Sequence, residues 1–90
     1  IERSAIIEQL KNIKVSSLAD IGCGNCEDTV YFSSYAEYVD AFDYSTKMIK
    51  DARNIVSSVN KQKINISRLD LIKDQINNSY DTIITKRVVH

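Results

Sequence analysis

Ninety residues allow one small domain or part of a larger one, and 43% hydrophobic with 27% charged residues describe an ordinary soluble globular chain. Twelve basic and twelve acidic residues cancel, so no basic field points to nucleic acid or to a membrane surface. No apolar run approaches the ~20 residues that span a bilayer, no secretory leader is visible, and two cysteines are too few for a secreted disulfide scaffold. A reduced, cytoplasmic setting is therefore expected.

In chain order, Ile6, Ile7, Leu10 and Ile13 recur at helical spacing, which predicts an amphipathic helix over about residues 2–14. Ser16-Ser17 break it, and Leu18 to Ile21 form a short buried strand. Both glycines of the chain, Gly22 and Gly24, follow at once. A chain so poor in glycine that places both in one three-residue window is relaxing a steric limit there, because glycine tolerates positive φ and lets a ligand approach bare backbone. Glu27 to about Ser34 predicts the next helix, with its acids in the first turn where the helix dipole favours them. Tyr38 to Phe42 is the second strand, ending at Asp43. Ser45 is a good N-cap for a third helix whose apolar face reads as Met48, Ala52, Ile55 and Val59. Ile64 and Ile66 alternate in a third strand that runs out at Asp70. Residues 74–79 form a loop, and Tyr80 to Thr85 form a fourth strand.

Strands alternating with helices predict an α/β fold of parallel βαβ units with right-handed crossovers, a sheet flanked by helices. The apolar fourth strand, followed by Val88-Val89, would be left at an uncovered sheet edge, so residues 1–90 are expected to be the N-terminal, cofactor-binding part of one domain, C-terminally incomplete. In such sheets ligands bind beyond the carboxyl ends of the strands. Asp20, the glycine bend, Asp43 and Asp70 all fall at that end. Asp43 lies nineteen positions after Gly24, close to the ~20-residue spacing at which an acid takes hydrogen bonds from a ribose.

The nucleoside is narrowed by charge. A dinucleotide fingerprint needs glycine at position 27, where this chain has Glu27 followed by Asp28. At an effective dielectric near 20, like charges ~4 Å apart repel by about 4 kcal/mol, which disfavours a pyrophosphate at that helix start. A cationic nucleoside would instead be welcome among Asp20, Glu27, Asp43 and Asp70.

The segment Asp20-Ile21-Gly22-Cys23-Gly24-Asn25-Cys26 resembles the first motif, D/E-x-G-x-G-x-G, of the class I S-adenosylmethionine-dependent methyltransferases. Val39 to Met48 is similar to their second segment, Ser67 to Leu71 to the adenine-side segment, and Tyr80 to Ile84 to the fourth-strand segment. The resemblance runs from about Val15 to His90 in matching order, and it implies a Rossmann-like parallel sheet with strand order 3-2-1-4, flanked by helices. It implies S-adenosyl-L-methionine as cofactor, with Gly22, Cys23 and Gly24 passing close to its methionine part and Asp20 anchoring the bend. Asp43 would hold the ribose hydroxyls, and Tyr44 and Met48 would pack near the adenine. Asp70 would accept from the adenine amino group with Leu71 beside it, and Lys86 would line the crevice near the methyl. The third motif glycine is Cys26 here. The resemblance further implies methyl transfer but leaves the acceptor open, since small-molecule, nucleic-acid and protein acceptors share this half of the family. The neutral charge disfavours nucleic acid, so a small-molecule acceptor is expected, with no nucleic acid or membrane partner. The rival readings are an NAD(P)- or nucleotide-binding oxidoreductase and a non-catalytic methyltransferase-like module.

Other features read more simply. Cys23 and Cys26 have C-x-x-C spacing, but Glu27 and Asp28 oppose a thiolate and a zinc site needs about four ligands. Cys23 is then a small residue fitting the bend. Asp81, at the amino end of its strand, is read as structural.

Overall fold

A computed structural model describes residues 2–59, 63–69, 80–85 and 88–89. The elements are α1 (Arg3–Lys11), β1 (Val15–Ile21), α2 (Glu27–Phe32), a 3-10 turn over Ser33–Tyr35, β2 (Ala36–Asp43), α3 (Thr46–Ser58), β3 (Ile64–Arg68), β4 (Thr82–Thr85) and β5 (Val88–Val89). The sheet order is β3-β2-β1-β4-β5, parallel from β3 through β4. This is the expected 3-2-1-4 sheet. The sequence reading had no β5, which pairs antiparallel with β4 through Ile84–Val89 and Thr85–Val88.

Register puts Leu18 beside Val39 and Thr82, Asp20 beside Ala41 and Ile84, and Val39 beside Ile64. Side chains of in-register parallel strands share a face, so Leu18, Val39, Ala41, Ile64 and Ile84 form one apolar surface. The helices form a layer in which α1 packs on α2 and α2 on α3. Ile6 and Leu10 of α1, Phe32 of α2, and Ala52 and Val56 of α3 complete a single core with that surface. On the alternate positions Tyr80 donates to Asp40 (2.7 Å), Asn65 donates to the same carboxylate (3.3 Å), and the Tyr80 ring meets Phe42 edge-on.

Several boundaries differ from the sequence reading. α1 stops at Lys11 with Asn12 as its C-cap, so Ile13 lies outside it and is 47% exposed. The buried face of α3 is Ile49, Ala52 and Val56, while Met48 and Ile55 are half-buried and Val59 is exposed. The apolar stripe is thus turned by about one residue from that expected, because the helix sits over β2 and β3 and takes Ile49 as its first inward residue. Ser45 caps α3 as predicted, accepting from Met48 N–H at 3.3 Å.

β1 begins at Val15, three residues before its apolar run. The reason is Asp81. Its Oδ2 accepts from the N–H groups of Ser16 (2.8 Å) and Ser17 (3.4 Å), and its own N–H donates to Ser17 Oγ (3.1 Å). A carboxylate from the start of β4 therefore holds two serines in strand geometry, in agreement with the structural role read for it. Hydrogen bonds to a charged acceptor contribute about 1.5–3 kcal/mol when well buried, less when solvated. Asp81→Ala should lower stability by about 1 kcal/mol, read as a lower urea midpoint with unchanged slope. Asp51→Ala, which breaks only the exposed i,i+4 pair with Lys47, should move that midpoint by less than half as much.

Candidate functional site

The carboxyl ends of β1 and β2 meet at the glycine bend, where the parallel order reverses from β2 on one side of β1 to β4 on the other. That reversal is where ligands enter open α/β sheets. The chain leaves β1 through Gly22 (φ +80°), Cys23, Gly24 (φ +59°), Asn25 and Cys26 (φ +68°). Every second residue is left-handed. Glycine adopts this without penalty; an L-residue pays roughly 1–2 kcal/mol. Cys26 takes that conformation with its side chain wholly buried in the core, so apolar packing offsets the backbone cost. The glycine of the resembled motif is thus replaced without loss of the turn.

Hydrogen bonds fix the bend from both sides. The N–H groups of Gly22 (2.7 Å) and Cys23 (3.0 Å) both donate to the Phe42 carbonyl at the end of β2. Gly24 N–H donates to Asp43 Oδ2 (2.8 Å), and Asp43 Oδ1 accepts from Ser45 N–H (3.0 Å). Asp43 therefore ties the bend to the start of α3. Its carbonyl also takes Leu69 N–H at 2.9 Å, which continues the β2–β3 ladder.

Asp20 lies beneath the bend. It is 6% exposed, and Oδ2 accepts a 2.6 Å hydrogen bond from the Thr29 hydroxyl of α2. Sequence reasoning missed Thr29; its only signal was a polar residue in the first turn of an amphipathic helix. Asn25 Oδ1 accepts from Glu27 N–H (3.2 Å) and satisfies one free donor at the start of α2. Asp28 pairs with Arg3 at 3.4 Å, and Arg3 lies 4.0 Å over the Tyr31 ring, which clamps α1 to α2.

A small hollow of about 40 Å³ opens at this end of the sheet, lined by Ile21, Gly22, Phe42, Asp43, Tyr44 and Leu69. Built onto the backbone, a Cβ at Gly22 or at Gly24 meets nothing within 4 Å, so both glycines border open space. Tyr44 stands 73% exposed at its rim, and Met48 is half-buried in the first turn of α3. Of the sequence-predicted residues, Gly22, Cys23, Gly24 and Asp43 converge, with Tyr44 next in chain; Asp20 supports them from below. Asp70, Leu71 and Lys86 lie outside the described residues. Ile21, Phe42 and Leu69 were not singled out beforehand, since a strand-end apolar residue reads as core. Roomier hollows lie elsewhere, about 310 Å³ between α3 and β3 and about 270 Å³ among α1, α2 and α3; neither reaches the carboxyl ends of the strands.

This architecture is the Rossmann-like fold of the class I S-adenosylmethionine-dependent methyltransferases. Solved structures with the same fold include the N-methyltransferase NodS from Bradyrhizobium japonicum in complex with S-adenosyl-L-homocysteine, with TM-score 0.78 and 17% identity over 91% of this chain and 41% of that one. A dimethyladenosine transferase from Plasmodium falciparum (TM-score 0.79, 22% identity, 91% and 30% covered) and YcgJ from Bacillus subtilis (0.77, 16%, 92% and 37%) share it. The chain thus spans 30–41% of the length of these structures. The family model described as tellurite resistance protein TehB matches residues 2–90. The chain belongs to the TehB family. No protein among those of curated function matches it.

Among the described residues no helix is long and apolar enough to cross a membrane, and no group of three metal-capable side chains occurs. Thr29→Val, which keeps the shape and deletes the donor to Asp20, should cost about 2 kcal/mol. Thr29→Ser, which keeps the hydroxyl and loses one methyl, should cost about 1 kcal/mol or less; equal losses in urea titrations would refute the hydrogen bond as the source.

Proposed function

We propose that the protein is an S-adenosylmethionine-dependent methyltransferase acting on a small nucleophilic acceptor. The observation that carries this reading is the state of Asp43. An ionised carboxylate offers about four acceptor positions, and two of them are taken by Gly24 and Ser45 N–H. Asp43 also lines a hollow walled by apolar side chains, and its remaining two positions suit the pair of vicinal hydroxyls of a ribose.

The residues present fit the cofactor. The open space above Gly22 and Gly24 leaves room for the amino-acid end of the ligand against bare backbone. Gly22, Cys23 and Gly24 would flank its methionine part while Asp20 holds the corner from beneath. Asp43 would orient the ribose, Tyr44 and Met48 would cover the adenine, Asp70 and Leu71 would fix its edge, and Lys86 would stand near the methyl. The bound cofactor supplies an electrophilic methyl on a sulfonium. Asp43 and Asp20 place negative charge on that side of the sheet, which favours a cationic ligand. Catalysis then rests on holding the acceptor in line with the methyl and on excluding water, effects that can contribute about 7–11 kcal/mol. No side chain is assigned as a general base.

The zero net charge and the family's description, tellurite resistance, are in keeping with a small acceptor rather than a nucleic acid. A dinucleotide is disfavoured by the exposed Glu27, whose N–H is already taken by Asn25.

Titration calorimetry with S-adenosylhomocysteine tests the reading: heat of binding is expected, and NADH should give none. Asp43→Asn should weaken binding at least about tenfold, a loss of roughly 1.4 kcal/mol. In Gly24→Ala, stability should fall by only about 1–2 kcal/mol, whereas binding should be lost, because the new methyl enters the ligand's space. Loss of binding in step with unfolding would count against the assignment.

A further inference from the structure

The bend holds a feature that the methyltransferase reading does not use. Cys26 N–H donates to the Cys23 carbonyl at 3.1 Å, closing a four-residue turn. Such a turn brings its first and fourth Cα atoms within about 7 Å, and disulfides bridge Cα atoms roughly 4.4–6.8 Å apart. Both thiols are free, and they differ in access: Cys23 is half-buried, whereas Cys26 is wholly buried. The Cys23 thiol lies 3.5 Å from the Gly24 carbonyl, inside the same turn. No other sulfur exists in the chain except that of Met48.

We propose that Cys23 and Cys26 form a reversible dithiol–disulfide pair that exchanges with low-molecular-weight disulfides of the glutathione type, with Cys23 as the point of entry. The Cys23 sulfur attacks one sulfur of the reagent, the reagent's S–S bond breaks, and the first small thiol leaves with the proton that Cys23 gives up. Cys26 sulfur then attacks Cys23, displacing the second small thiol, which takes the Cys26 proton. The protein loses two hydrogens and gains one S–S bond; the reagent gains the same two hydrogens. No further oxidant is needed.

The surroundings set the character of the exchange. The hydrogen bond to Cys26, burial, and the charges of Asp20 and Asp43 hold the Cys23 thiol far above the ordinary thiol range. Cys26 is lowered, chiefly as acceptor of that hydrogen bond and with help from the Thr29 hydroxyl, although both carboxylates oppose its charge too. A dithiol whose thiolates are not broadly stabilised gives a disulfide that is formed slowly and kept, unlike strongly oxidising pairs whose reduced form is favoured.

The pair also sits where the reading of the previous subsection puts the cofactor, and one consequence rests on that reading. A ligand lying over Gly22–Gly24 covers Cys23 and shields it from the reagent. At ligand ten times its Kd, exchange should slow about tenfold.

The full chain, reduced and freed of reductant, is incubated with glutathione disulfide, quenched in acid, capped with N-ethylmaleimide and weighed intact and after digestion. The expected product is a monomer two hydrogens lighter, with neither thiol capped, a Cys23–Cys26 linkage and full reversal by dithiothreitol. Cys26→Gly, which suits the left-handed backbone there, should instead accumulate glutathione on Cys23, and folded Cys23→Ser should stay unmodified. Wild type that stops at the glutathione adduct, or keeps both thiols under conditions in which Cys26→Gly reacts, overturns the proposal; so does a bond between chains. S-adenosylhomocysteine that binds by calorimetry yet leaves the wild-type rate unchanged overturns the shielding. If it fails to bind, the methyltransferase reading fails, while the disulfide stands or falls on the ligand-free arm.

Discussion

The structure turns on the Asp43 carboxylate and the Gly24 N–H that it accepts at 2.8 Å. A hydrogen bond to an ionised, partly buried acceptor is among the stronger single interactions a small domain has. This one joins two segments nineteen residues apart in the chain. The second oxygen, holding Ser45 N–H, extends the link to the start of α3. With one side chain the protein fixes how its first and its second crossover begin.

Beneath that joint lies a second, independent one. Asp20 and Thr29 fasten the end of β1 to α2 out of contact with solvent, while the backbone between them alternates left-handed residues. Two acids at neighbouring strand ends therefore both hold the corner, Asp20 out of contact with solvent and Asp43 at the edge of the small hollow. Their shared charge opposes a thiolate on either cysteine between them; it helps to raise Cys23, while Cys26 is lowered on balance by the hydrogen bond it accepts from Cys23.

Much of this was legible in the sequence because it is local or tied to fixed spacing. The confinement of glycine to positions 22 and 24, the acid nineteen residues on, and Ser45 three residues before Met48 are such cases. The parallel sheet followed from the alternation of strands and helices, and its 3-2-1-4 order from the family resemblance. What escaped was decided by distant partners. Ser16 and Ser17 are poor strand formers and are drawn into β1 by Asp81. The inward face of α3 is chosen by the sheet it rests on, not by the helix's own periodicity, which fits Ile49 or Met48 about equally well. Thr29 matters only because Asp20 lies opposite it. The left-handed Cys26 could be suspected from its place in the motif, but its burial could not.

The Asp81 contact carries a meaning for the timing of folding. It joins residues 64 and 65 positions apart, and contacts so distant in sequence are slow to form because a long loop must close first. The central strand has β2 on one side early in synthesis, yet its other edge and the N–H groups of Ser16 and Ser17 wait for residues 81–85. On a ribosome, the half-paired β1 edge must therefore be tolerated until those residues have emerged.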